Sequence, residues 1–172
     1  MHERNFWIGV VSRDHVGIGV AGGFTQLNHG KAGPLERMRA GDGFAFYSPR
    51  SAYPDGPPLQ AFTAIGRVRD GIVYQAARAQ DGPGEGFAPF RLGVDYLPAR
   101  DAPIKPLIDE LSFIRSKSHW GAAFRFGFLR VPEADFARIA VAMGRDFAAD
   151  FPAASTLTGG KEPEEREPAS AN

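Results

Sequence analysis

A chain of 172 residues is long enough for one domain with a real hydrophobic core. Its apolar fraction of 43% and charged fraction of 23% exclude a fibre, a membrane protein and a wholly disordered chain. The count of 0 cysteines excludes disulfides, thiol catalysis and Cys-ligated zinc, and a formal net charge of zero argues against non-specific duplex binding as the main task, though not against one local basic face.

The elements follow in chain order. Residues 6–12 (FWIGVVS) are short, β-branched and aromatic, the pattern of a buried strand. They begin close to Met1, so no signal peptide is expected. The glycines of 13–23 weaken a helix there, so a turn or a single helical turn is expected. Residues 24–31 (FTQLNHGK) read as an ordered loop, and 34–38 (PLERM) as a short helix with proline in its first turn. Strand 44–48 (FAFYS) is expected to stop at Pro49, and loop 51–58 follows. Residues 60–69 and 72–74 read as a hairpin closed by Asp70-Gly71. Beyond a loop at 77–87, residues 90–96 (FRLGVDY) roughly alternate as a strand. Residues 103–111 read as a helix, 118–121 as a loop and 124–130 (FRFGFLR) as a last strand. The clearest helix covers 132–147, with Phe136, Ile139, Ala140 and Met143 on one stripe.

Short strands with helices inserted between them point to an α+β, β-rich fold, a small mixed or closed β-barrel. The domain is expected over 1–151 and an acidic, solvated tail over 152–172. No apolar stretch approaches the roughly 18 residues of a membrane helix, so a cytoplasmic location is expected.

Chemistry-bearing residues gather at strand ends and in the loops beside them. Trp7, Ser12, Phe24-Thr25-Gln26, Tyr47-Ser48 and Trp120 offer π faces for a flat ring and polar groups for its hydrogen-bonding edge. By composition alone the same aromatics fit a core more readily than a pocket, and Gln26 an ordinary loop residue. Lys31, Arg50, Arg91, Lys117 and Arg125 flank these points as a phosphate-positioning rim would, or as a plain solvated surface would. Enzymatic signals are thin. Asp14-His15, His29 and His119 fall in no metal-ligand spacing, and no serine stands in a G-x-S-x-G elbow. The expectation is a chain that is not an enzyme and holds no cofactor or metal.

Taken together, 6–16 (FWIGVVSRDHV), 22–31 (GGFTQLNHGK), 34–38, Gly41-Asp42, Tyr47-Ser48-Pro49, 60–66 (QAFTAIG), Pro89-Phe90-Arg91 and 117–121 (KSHWG) resemble the EVE domain family, in order from about Phe6 to Met143. The resemblance implies a PUA-like barrel with inserted helices, related to YTH and ASCH domains. It implies a reader of a modified base in DNA or RNA, with Val11, Ser12, Arg13, Phe24, Thr25, Gln26, Tyr47 and Ser48 lining the pocket. Trp7, Phe90 and Trp120 are implied as further walls. A nuclease or modification enzyme, if one acts with it, is then a separate chain. From another class stands a domain that binds a nucleotide or metabolite for regulation, which zero net charge favours.

Overall fold

The computed structural model describes residues 3–77 and 88–153. Most of the 77–87 loop and most of the acidic tail lie outside the described residues. The strands are β1 (Phe6–Val10), β2 (Phe24–Thr25), β3 (Gly43–Arg50), β4 (Pro58–Gln75), β5 (Phe90–Tyr96), β6 (Ala102–Pro103) and β7 (Phe128–Val131). The helices are α1 (Arg13–Gly22), α2 (Gly33–Glu36), α3 (Glu133–Ala142) and α4 (Phe147–Asp150).

The strands form one mixed sheet in the order β2-β5-β4-β3-β1-β7, with β6 added on β4. β1 runs parallel to β3, and the other pairs are antiparallel. The expected closed barrel is corrected to an open sheet, because the end strands β2 and β7 do not pair. The side chains give the reason. In β1, Phe6 and Ile8 join one buried cluster while Trp7 joins the other. In β3, Ala45 and Tyr47 join the first, and Phe44 and Phe46 the second. Successive residues of a strand point to opposite faces. Each face therefore carries a core of its own, the first with Phe136 and Ile139 of α3, the second with Val16 of α1 and Leu35 of α2.

Strand 90–96 is found as read, and the stripe of Phe136, Ile139, Ala140 and Met143 is buried throughout. Other elements differ. The glycine-rich 13–23 is a full helix, α1, rather than a turn, and ends on Gly23 at φ +69°, whose N–H caps the Gly19 and Val20 carbonyls. β3 does not stop at Pro49 but continues to Arg50, tolerating the proline at a register shift. The hairpin at 60–74 is one long strand, β4. Both halves pair with β5, and the Asp70-Gly71 segment bulges out between Val68 and Val73. The helix over 103–111 shrinks to a 3-10 turn at Lys105–Leu107, because Ala102–Pro103 is drawn onto β4 as β6. The loop at 118–121 runs into a 3-10 turn, Trp120–Phe124, and the last strand starts only at Phe128. The 132–147 helix ends at Ala142, and α4 follows it.

One ion pair ties α4 to the end of α3. Arg145 donates through Nε and Nη2 to the two Asp150 oxygens, each at 2.8 Å, and through Nη1 to the Pro98 carbonyl at 3.0 Å. The hydrogen bonds from Arg145 hold the Asp150 carboxyl below its ordinary value of 3.8. A depressed folded-state value stabilises the fold above that ordinary value, and the contribution is lost as pH falls through the depressed one. Asp150→Asn is therefore expected to flatten the acid limb of stability against pH, read by urea unfolding at neutral pH and near pH 3. An unchanged acid limb would show that the pair adds nothing.

Candidate nucleic-acid interface

The C-terminal ends of β1 and β3 bring several loops together. The Val11 N–H donates to the Tyr47 carbonyl at 3.2 Å, the Asp14 N–H to Ser51 at 3.0 Å and the Val10 N–H to Gly127 at 2.9 Å. Leu27 closes over Gly9, leaving no space for a β-carbon there, and Asn28 lies against Gly127. The α1 start, the 26–31 segment, the loop after β3 and the loop before β7 thus share one end of the sheet.

The predicted residues divide into two groups. Around the β1 end, Ser12 is buried and its hydroxyl bonds the Asp14 carboxylate, while the exposed Arg13 pairs with Asp101. Burial works against the charge of Asp14, but the Ser12 hydroxyl and the His15 amide outweigh it and hold the carboxyl below its usual value. Tyr47 is enclosed, its ring stacked 4.0 Å from Phe124, and burial pushes its phenol up to about 12. Ser48 is buried against the Thr63 hydroxyl at 2.7 Å. Val11 is half-buried against the second cluster, and Trp120 against the first.

The second group lies on β2 and β5. Phe24 is buried beneath the Arg91 guanidinium, whose carbon sits 3.9 Å from the ring centroid. Arg91 Nε donates to Gln26 Oε1 at 3.2 Å. An arginine N–H can only donate, so the chemistry fixes which way the amide faces. The Gln26 NH₂ is left with its donors on no partner among the described residues. Phe90 is half-buried on the same side. Tyr96 donates to the Phe24 carbonyl at 2.9 Å, and burial raises its phenol well above its ordinary value, so it stays a donor at neutral pH.

Beside it the Thr25 hydroxyl is fully buried. It lies near enough to favour the ionised Tyr96 but meets no group at hydrogen-bond geometry. Such an unmade bond costs about 1–3 kcal/mol. Thr25→Val, nearly the same shape, is accordingly expected to stabilise the fold by about 1 kcal/mol in urea unfolding. A loss of stability would mean that the hydroxyl is satisfied.

Three predicted residues make contacts within the fold. Trp7 is core, 3% exposed, stacked on Phe128 at 5.0 Å and bonded through Nε1 to Asp42 Oδ2 at 2.9 Å. Lys117 spends its ammonium on the carbonyls of Ile108, Leu111 and Ile114 at 2.8, 3.2 and 2.9 Å. Arg50 is exposed and donates to the Gly56 carbonyl at 3.0 Å. Lys31 and Arg125 are exposed. Two surface hollows of about 390 and 350 Å³ open elsewhere, one beside Gly23, Arg69 and Tyr96, the other beside Arg4, Phe6 and Arg130. Neither is lined by Ser12, Gln26 or Tyr47.

Sequence reasoning missed the buried carboxylates. Asp42 accepts from the Asn5 N–H at 3.0 Å and the Arg39 N–H at 3.0 Å as well as from Trp7, and Asp135 accepts from Ser112 and Phe113. Asp42 had a signal in its turn with Gly41; Asp135, inside a helical stripe, had none. Among the described residues no helix is long and apolar enough to cross a membrane, and no group of three or more His, Cys, Asp or Glu could hold a metal ion.

The sequence model of the EVE domain matches residues 5–142. A UPF0310 protein of Mycolicibacterium vanbaalenii is 53% identical over 137 residues, covering 80% of this chain and 91% of its own. The UPF0310 protein YdcG of Bacillus subtilis is 46% identical over 142 residues, covering 83% and 94%. Among solved structures, a hypothetical protein from Leishmania major superposes with a TM-score of 0.51 at 10% identity, covering 80% of this chain and 92% of its own. Protein Atu2648 from Agrobacterium tumefaciens gives 0.50 at 16%, covering 82% and 94%. These two speak to the fold alone. With a family match running from the first strand through the last residue of α3, and with half-identical relatives over most of its length, this chain belongs to the EVE domain family.

Proposed function

We propose that this protein binds a base of nucleic acid, in DNA or RNA and modified in its natural target, without catalysing a reaction on it. The observation that carries the reading is Gln26. Its amide is held by Arg91, which is itself stacked on Phe24, so two N–H donors are presented in a fixed direction beside a flat cation. Fixed donors select a base edge that offers acceptors, and a guanidinium plane stacks on any base. Lys31, Arg50 and Arg125 supply positive charge around the same end of the sheet for backbone phosphates.

Fluorescence titration tests this with short oligonucleotides carrying methylcytosine, hydroxymethylcytosine or methyladenine, each against its unmodified twin. The expected result is a preference for one modified strand. Equal, weak binding to all of them would sink base reading.

A second reading is a free nucleotide or metabolite bound for regulation, which the zero net charge favours. A thermal-shift screen separates the two, since a ligand of the native state raises the melting temperature by mass action.

A further inference from the structure

Phe126 is 81% exposed, more than any other large apolar side chain among the described residues. Its neighbours in the run 124–128 have other work: Phe124 stacks on Tyr47 and Phe128 on Trp7. The backbone beneath it is braced. The Arg125 N–H donates to the Ala122 carbonyl at 3.2 Å, the Gly127 N–H to Phe124 at 3.2 Å, and the Gly127 carbonyl accepts from Val10 at 2.9 Å. Gly127 takes φ +75°, and a β-carbon there would stand 2.6 Å from Asn28 Oδ1. Glycine lets the tip close at once against β1 and against Asn28, which with the next residue, His29, is held at positive φ, 45° and 58°. A slack tip would fold its phenylalanine back onto the protein; this one projects it.

A single exposed apolar residue is ordinary. Position sets this one apart. It stands at the sheet end where Val10, Ser12 and the 26–31 segment meet, with exposed Arg125 next to it and exposed Lys31 and Arg50 on adjoining segments. One ring among cations is too little apolar surface for a protein interface. It suits a polyanion whose interior is a stack of flat rings. We infer that Phe126 is a wedge that enters the base stack of a DNA duplex next to the base being taken up. Withdrawing a base from a duplex forfeits its stacking, and an apolar ring inserted at the step restores part of it. The flanking cations hold the phosphates on either side. A DNA duplex is the target, since its flexible pyrimidine–purine steps kink and unstack easily.

This rests on the base-binding reading, and the test separates the two. Binding of the full chain is measured to a short DNA duplex with one central methylcytosine, to the same strand unpaired, and to an RNA duplex of like sequence. A 2-aminopurine beside the central base reports unstacking. Phe126→Ala is expected to weaken duplex DNA binding about ten-fold and to abolish the 2-aminopurine rise, while single-strand binding stays within about two-fold. Because Phe126 is exposed, the melting temperature should not move; Val141→Ala, which trims an exposed apolar side chain on α3, should change nothing. Equal loss on duplex and single strand, no loss on either, or a loss confined to the RNA duplex overturns the wedge. Wild-type binding to the single strand alone also overturns it and leaves base binding standing. Wild-type binding to no nucleic acid overturns both.

Discussion

Asp42→Ala is expected to lower the unfolding free energy by about 3–5 kcal/mol, the largest single loss we anticipate. The carboxylate is 0% exposed and accepts from three donors, the Asn5 and Arg39 amides and the Trp7 indole. Removing it strands those donors, two on backbone that fixes the start of β1 and the turn before β3, and one on the largest ring of the second core. Hydrogen bonds to a charged group are each worth about 1.5–3 kcal/mol net, so the loss exceeds that of an ordinary core truncation to alanine only if at least two matter. Trp7→Phe removes one donor and keeps the ring against Phe128, so it should cost much less. The pair forms a double-mutant cycle, with urea unfolding as the readout and coupling expected at the level of about 1 kcal/mol or more. Additive losses would mean that the indole bond contributes nothing beyond packing.

For function, the largest effect is expected at Gln26. Gln26→Ala should reduce the preference for the modified base by roughly 10- to 100-fold, corresponding to about 1–3 kcal/mol, and total affinity by less. The amide presents donors because Arg91 occupies its oxygen. Gln26→Glu is the sharper variant: it keeps the Arg91 contact, replaces the donors by a second acceptor, and should reject the same base edge. Arg50→Ala is expected to act differently, weakening all strands alike and lowering the salt slope by about 1. These readouts come from oligonucleotide titrations at two salt concentrations. If Gln26→Ala and Arg50→Ala gave the same pattern, Gln26 would be a phosphate or scaffold residue and not a reader.

How much of this was legible differs from element to element. The strand at 90–96 and the stripe from Phe136 to Met143 follow from periodicity, because a half-buried element repeats its geometry in its sequence. The glycines of α1 misled for a related reason. Propensity describes an isolated segment, whereas α1 is held by Val16 in the second core and by the left-handed cap at Gly23. Asp70-Gly71 carries hairpin chemistry, yet β5 pairs with both flanks, so the turn became a bulge. The site shows the same limit. Ser12, Gln26 and Tyr47 stand out by residue type, but only the folded chain distinguishes a tyrosine sealed under Phe124 from a glutamine whose oxygen is held by Arg91.

The sequence by itself determined a chain without cysteines, the strand at 90–96, the buried stripe from Phe136 to Met143 and the membership of the EVE family, since these depend on residue type, period and the order of motifs along the chain. The tertiary structure decided that the sheet stays open with a core on each face, that Trp7 and Lys117 are committed to structure, and that Arg91 aims Gln26. Those outcomes depend on which side chains meet across long stretches of chain: Trp7 with Asp42, Gln26 with Arg91, Gly127 with Asn28. No local pattern encodes such meetings.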